Sequence, residues 1–372
     1  MKLSSLPFHI GPCNTSLNPG GLPNVYPFEL IFDEKLGILK QPVYTELESL
    51  LQKAYKVGQT FGTPLAEDAY GKPYTDDFLS YIEKANIPVS NGLEIGAGVG
   101  YLTRRLMDKG WTMTSLEPGK GYEPFWSRYG ITIIREFFPT PRVTGSYDLI
   151  CSYGVLEHVS DPINFLTSIR DCLSHNGKAV ISVPDCTEEI LAGDPSIMFH
   201  EHINYFDAGS LKRLFKIAGM NAIVKKSNHG RCLYVLASVG ELEVDEDEEE
   251  FRLSQSLSQS LVASYPARSY SFITRFRSKL SVLTENKSIG IYCAARGLIL
   301  LDTKYLLRFF DDDPMQQGKY YPPFNVPIES REKLIASPVE NLIIMSRTFG
   351  KKIRESIIND GYQGKVITLD EL

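Results

Sequence analysis

The residues with the plainest chemical use form one glycine-rich run, Leu93-Glu94-Ile95-Gly96-Ala97-Gly98-Val99-Gly100-Tyr101-Leu102. It reads as a strand entering a turn and then a helix. The glycines let backbone approach a ligand closely, and the start of the helix offers unpaired N–H groups. Glu94 sets an acid at the strand end, where a phosphate would be repelled and an ammonium or sulfonium attracted. That favours S-adenosylmethionine over a dinucleotide. Downstream, Ser115-Leu116-Glu117-Pro118 ends the next strand, at about the distance where an acid grips the ribose hydroxyls of an adenosine ligand.

Two further stretches carry groups suited to proton chemistry. Tyr147 to Val159 puts a strand end and a loop with His158 beside the same crevice, where α/β sheets bind ligands. His158 there has either a supporting or a substrate-side role. Phe199-His200-Glu201-His202-Ile203-Asn204-Tyr205-Phe206 places two histidines and a carboxylate in a loop, and imidazole is the side chain best matched to proton transfer near neutral pH. The same residue types bind metals, but their spacing lacks a third partner, so no metal is expected.

Strands and helices must alternate to hold these loops in place. Between Val89 and Val239, short apolar runs at Gly92–Ile95, Thr112–Leu116, Ile131–Ile134, Tyr147–Cys151, Ala179–Val183, Ala222–Lys225 and Cys232–Ala237 alternate with helical patterns. This predicts a mostly parallel sheet covered on both faces. Asp161-Pro162 opens a helix whose stripe is Ile163, Leu166, Ile169 and Leu173, with Asn176-Gly177 as its end; Asp207 opens another, stopped by Gly219. Upstream, helices are predicted over Val43–Val57, stopped by Gly58, and over about Asp76–Ala85, after a proline-broken start. The acidic run Glu241–Glu250 reads as a solvated boundary. Beyond it, strands are expected at Ile289–Ala294, Leu306–Phe310, Leu342–Met345 and Val366–Leu369, with helices near Ser330–Ala336 and Lys351–Asn359. The predicted organisation is an N-terminal segment 1–88, a ligand-binding domain 89–240, a connector 241–287 and a smaller α/β domain 288–372.

A 372-residue chain suits two cores, and its net charge of -6 provides no electrostatic footprint for a phosphate backbone. Nucleic acid is disfavoured as a partner. The six cysteines are scattered without zinc-type spacing, and no segment reads as a signal peptide or a membrane span, so a cytoplasmic location is expected.

The four aligned features around Glu94, Gly96, Gly98, Gly100, Glu117 and Tyr147–Val159 resemble the class I S-adenosylmethionine-dependent methyltransferases, which implies a Rossmann-like core with Glu136 and Phe137 flanking the adenine. The Glu201-His202 pair, followed by Tyr205-Phe206 and a helix, is similar to the corresponding segment of the nucleotide-sugar C-methyltransferases. So are Ser288–Gly297, which looks like that family's second glycine turn, and Asp311-x-x-Pro314-x-x-Gln317-Gly318-Lys319-Tyr320. The resemblance implies a nucleotide-linked keto-sugar substrate, His202 as the base that removes a proton beside the keto group, and Glu201 as its carboxylate partner. Two departures stand out. Only Cys13 lies where the family has a four-cysteine zinc module, and Phe199 and Phe61 stand where tyrosines are common. Phenylalanine cannot donate a hydrogen bond to an enolate oxygen. Methylation at carbon, methylation at oxygen, and a non-catalytic module that binds a nucleotide-sugar are the three functional expectations.

Overall fold

The computed structural model describes residues 1–9, 11–57, 72–242, 257–283, 288–347 and 349–372. Gly58 and Phe61, and most of the acidic run, lie outside the described residues. The chain divides into two compact units. One combines Met1–Leu30, Leu191–His200 and Ser264–Leu372; the other combines Ile31–Ile190 and Glu201–Ala263. Neither unit is contiguous in sequence, unlike the four consecutive segments expected. The reason lies partly in pairing: β1 (Lys2–Pro7) and β2 (Val25–Glu29) pair with each other, and Cys13 bridges Tyr320 in the same unit.

The second unit begins with β3 (Ile31–Asp33), β4 (Ile38–Lys40), α1 (Thr45–Val57) and α2 (Lys72–Lys84). Its core then alternates β5 (Asn91–Ile95), α3 (Tyr101–Asp108), β6 (Thr112–Leu116), α4 (Glu123–Tyr129), β7 (Tyr147–Tyr153), α5 (Pro162–Cys172) and β8 (Leu173–Pro184). After α6 (Thr187–Ala192) come β9 (Asn204–Tyr205), α7 (Ala208–Ile217), β10 (Asn221–Lys226) and β11 (Cys232–Ser238). The main sheet runs β10-β11-β8-β7-β5-β6, parallel except where β11 lies antiparallel to β8 and β10. This is a Rossmann-like α/β fold. Its strand order reverses between β5 and β7, where open sheets of this type hold ligands.

Apolar side chains fill both faces, as the unbroken hydrophobic strands required. Leu93, Ile95, Ile150 and Ile181 pack with Phe165, Ile169, Leu211 and Leu214 on one side. Leu149, Cys151 and Val180 pack with Phe78, Leu102 and Leu106 on the other. The two helix caps form as expected. Asp161 accepts from the Asn164 N–H, and Asp207 builds a reciprocal cap with Ser210.

Two predicted boundaries are wrong. Helix α5 stops at Cys172, and Leu173 through Asn176-Gly177 belong to β8, because Leu173 pairs with Tyr147 and the sheet takes its backbone. The expected strand Ile131–Ile134 is reduced to one parallel bridge between Leu116 and Ile134. Ile131 turns inward there, against the space beside Gly100.

The other unit continues with α8 (Gln259–Leu283), which starts in the second unit, then β12 (Ile289–Tyr292), β13 (Leu307–Phe310), β14 (Ile328–Glu329), α9 (Arg331–Ala336), β15 (Asn341–Ile344), α10 (Gly350–Asn359) and β16 (Lys365–Thr368). Its parallel sheet has the order β14-β13-β12-β15-β16. Among the described residues no helix is long and apolar enough to cross a membrane.

Candidate active site

The turn after β5 is built from backbone that only glycine adopts comfortably. Gly96, Gly98 and Gly100 have φ of 81°, 51° and 81°. Gly96 packs under the Val155 side chain, so a Cβ there would collide with it. Of the three, only at Gly98 would a Cβ meet no atom of the described residues within 4 Å. The Trp126 indole N–H fixes the turn from behind by donating to the Gly98 carbonyl at 2.8 Å.

Glu117 borders that opening. Its Oε2 accepts from the Gly98 N–H at 2.8 Å and its Oε1 from the Gly119 N–H at 2.6 Å, so the carboxylate ties the β5 turn to the loop after β6. Burial pushes its pKa above the usual carboxylate range, and the two N–H groups pull back in the other direction. Each oxygen keeps a further lone pair for hydroxyls. Glu94 sits deeper, one residue before the end of β5. Its Oε2 accepts from the Thr103 hydroxyl, which also lies 2.8 Å from Ser115 Oγ. Burial pushes Glu94 up to about 8, so near pH 7 the donor-free protein favours its neutral acid form. Glu136 accepts from the Thr140 hydroxyl and pairs with Arg142, while the exposed Phe137 ring meets Tyr55 edge-on at 5.8 Å.

The proton-active residues come from two separated segments, clamped together by a third. A short turn after β7, Leu156–His158, carries Glu157 and His158. The Ile203 N–H donates to the Glu157 carbonyl at 2.7 Å, and the Asn204 amide donates to the carbonyls of Leu156 and Val159. The strand β4 then clamps the loop from its other edge, pairing Lys40 with Asn204 and Leu39 with Tyr205, and the Gln41 amide donates to the His202 carbonyl at 3.2 Å. These contacts bring the His202 and His158 rings edge-on at 4.9 Å. The Glu201 carbonyl lies 2.7 Å from His158 Nδ1. A carbonyl only accepts, so Nδ1 carries the proton and Nε2 presents its lone pair, 3.8 Å from Glu157 Oε1. Burial pushes His158 down to about 4 and Glu157 up to about 8.

His200 goes elsewhere. It lies in the other unit, stacked on Phe8 at 5.3 Å with Tyr26 and Phe28 edge-on, and burial lowers its pKa to about 4. Phe199 lies under the Arg296 guanidinium in that same unit. The structure thus brings His158, Glu201 and His202 together and separates His200 from them.

Two side chains escaped the sequence reading. Glu157 was visible beside His158, but adjacency does not show that its carboxyl is almost wholly buried and that Oε2 lacks a hydrogen-bond partner among the described residues. Tyr55 looked like one more residue of an amphipathic helix. Its half-buried ring has its pKa pushed well above the usual range, first by burial and then by the charges of Glu201, Glu117 and Glu157, so its hydroxyl stays a neutral donor.

Residues 68–225 match the family described as a methyltransferase domain. The chain is 26% identical to the C-methyltransferase NovU of Streptomyces niveus, over 55% of this chain and 52% of that protein. It is 25% identical to a ubiquinone biosynthesis O-methyltransferase of Marinobacter nauticus, over 28% of this chain and 48% of that one. The chain therefore spans about half the length of the curated relatives it matches. A solved 1,6-didemethyltoxoflavin-N1-methyltransferase of Burkholderia thailandensis superposes with a TM-score of 0.40 at 16% identity, covering 56% of this chain and 97% of that one, a likeness too distant to argue from.

Proposed function

We propose, from the premise that residues 68–225 form an S-adenosylmethionine-dependent methyltransferase domain, that this chain methylates a small acceptor, a nucleotide-linked keto-sugar, at a carbon beside the keto group or at a hydroxyl. The observation that carries the reading is that one unit holds both Gly98, open among the described residues and bordered by Glu117, and a buried imidazole cluster reached from Val155, which packs on Gly96. The bound donor supplies an electrophilic methyl group on a sulfonium. Glu117 receives the ribose hydroxyls, Gly96 to Gly100 give the close backbone approach, Glu94 contributes an acid beneath the turn, and Glu136 and Phe137 border the adenine.

His202 takes the acceptor's proton, with Glu201 as its carboxylate partner. His158 holds its own proton at Nδ1 on the Glu201 carbonyl and so fixes the neighbouring ring and backbone. The Tyr55 hydroxyl supplies the neutral hydrogen-bond donor that Phe199 cannot, since an enolate oxygen is stabilised by a donor that itself stays protonated. Transfer to a carbon is supported by the 26% identity to a protein described as a C-methyltransferase. The keto-sugar assignment is supported by the resemblance of the Asp311-to-Tyr320 segment to that of the nucleotide-sugar C-methyltransferases.

His202→Gln is expected to leave donor binding intact while lowering turnover by roughly 10² to 10⁴ fold, the range for a positioned base. A panel of nucleotide-sugars, read by product mass and the position of the new methyl group, provides the assay. Exchange of the α-proton with deuterated water should also be lost in His202→Gln without donor. Wild-type exchange in that variant would place the base elsewhere.

A further inference from the structure

We propose that Glu157, His158 and His202 form a binding site for a borderline divalent cation, Zn²⁺ or Co²⁺, and that the cation competes with the proton for the His202 lone pair. Each residue offers one ligand atom, and the three atoms lie within 4.8 Å of one another. Such a triangle contains a point no more than about 2.8 Å from every corner. Side-chain adjustments below about 1 Å then reach the 2.0–2.2 Å lengths of zinc–nitrogen and zinc–carboxylate bonds.

The donor set is chemically specific. Two imidazoles and one carboxylate suit zinc, cobalt and similar ions better than magnesium or calcium, which prefer oxygen. His158 is already arranged as a ligand: the Glu201 carbonyl holds Nδ1–H, the second interaction that orients metal-binding imidazoles, and leaves Nε2 directed toward the Glu157 carboxyl. Glu157 supplies an independent sign of a missing partner. Its side chain is 4% exposed, and Oε2 makes no hydrogen bond among the described residues. A buried carboxyl oxygen without a partner is costly, and a cation would satisfy it. The His158 side chain keeps 17% exposure and provides an entry route.

Spacing along the chain offered His200 as the companion of His202, and that pair had no third ligand. The fold replaces His200 with Glu157 and His158, more than forty residues upstream. The cation site itself follows from this geometry alone; only the competition with proton abstraction rests on the proposed function.

The test titrates the purified full chain with Co²⁺ alone, recording d–d absorption, and with Zn²⁺ by calorimetry. One equivalent should bind, without the near-ultraviolet charge transfer that a cysteine thiolate would give. Glu157→Gln and His202→Asn should each weaken binding at least tenfold, while the exposed His175→Asn leaves it unchanged; binding of S-adenosylhomocysteine by each variant checks its fold. Absent binding, a thiolate signature, or affinity that survives both substitutions overturns the site. With the site established, Zn²⁺ should slow methyl transfer and a chelator restore it at unchanged donor affinity; undiminished transfer by the loaded enzyme overturns the competition. A chain that binds Co²⁺ as described but methylates no acceptor supports the cation site and sinks the functional reading instead.

Discussion

The turn after β5 and the turn after β12 share a topology. Each follows the first strand of its sheet, with later strands added parallel to it on both sides, and each is followed one strand later by an acid, Glu117 or Asp311. They differ in what stands opposite the glycines. After β5, all three left-handed positions are glycine, and a Cβ at Gly98 would meet no described residue within 4 Å. After β12, the left-handed positions are Cys293 and Ala295, with φ of 54° and 27°, and Gly297 is covered by Met345, as Gly290 inside the strand is by Leu342 and Val339. Glu117 spends one acceptor position on each of two backbone N–H groups and borders the opening. The acids after β13 are held locally as well: Asp311 accepts from the Asp313 N–H, and Asp312 is held by Arg331 and the Tyr292 hydroxyl. Among the described residues, one turn keeps space beside its glycines and the other closes on its own chain. A glycine motif and a downstream acid therefore do not suffice; the neighbouring side chains decide.

Substitutions at the glycines give the sharpest contrast. Gly98→Leu fills the open position, at a backbone cost of about 1–2 kcal/mol for a left-handed side chain, and should abolish donor binding measured by calorimetry while the protein still folds. Retained donor binding would remove the distinction between the turns. Glu117→Ala comes next, with a loss of about 1.5–3 kcal/mol for a charge-assisted hydrogen bond, or roughly 10- to 150-fold in donor affinity. Gly297→Ala tests the closed turn. Its Cβ would sit 2.5 Å from Met345 Cε and 3.1 Å from Met345 Cβ, so denaturant unfolding should show a loss of about 1–2 kcal/mol from overpacking with donor affinity unchanged.

The last test is a pH slope. Burial raises Glu94 to about 8 from an ordinary 4.5, so the folded protein holds that proton more tightly than the unfolded chain does. The contribution is complete below about 4.5 and is lost as pH rises through 8. Donor-free wild-type protein should therefore lose thermal stability relative to Glu94→Gln between pH 5 and 8. Parallel melting curves across that range would refute the burial of Glu94.

Much of this protein is set locally, and local features are legible. The Asp161 and Asp207 caps need only residues within the following turn, and the Glu94-x-Gly-x-Gly-x-Gly turn needs only the strand before it and the helix after it. The β-α alternation follows from uninterrupted apolar runs that must be covered on both faces. Those are the parts of the sheet and of the glycine turn that the sequence by itself determined. The end of α5 and the lost strand at Ile131–Ile134 were not local matters, because pairing with β7 and packing against the glycine turn overrode the turn signals. The proton-active cluster was decided only by tertiary structure. His200 and His202 are two residues apart yet belong to different units, whereas His158 and His202 are brought to 4.9 Å by β4, Gln41 and Asn204. Side chains from separated segments meet only where long-range backbone pairing places them, and no spacing rule along the chain encodes that pairing.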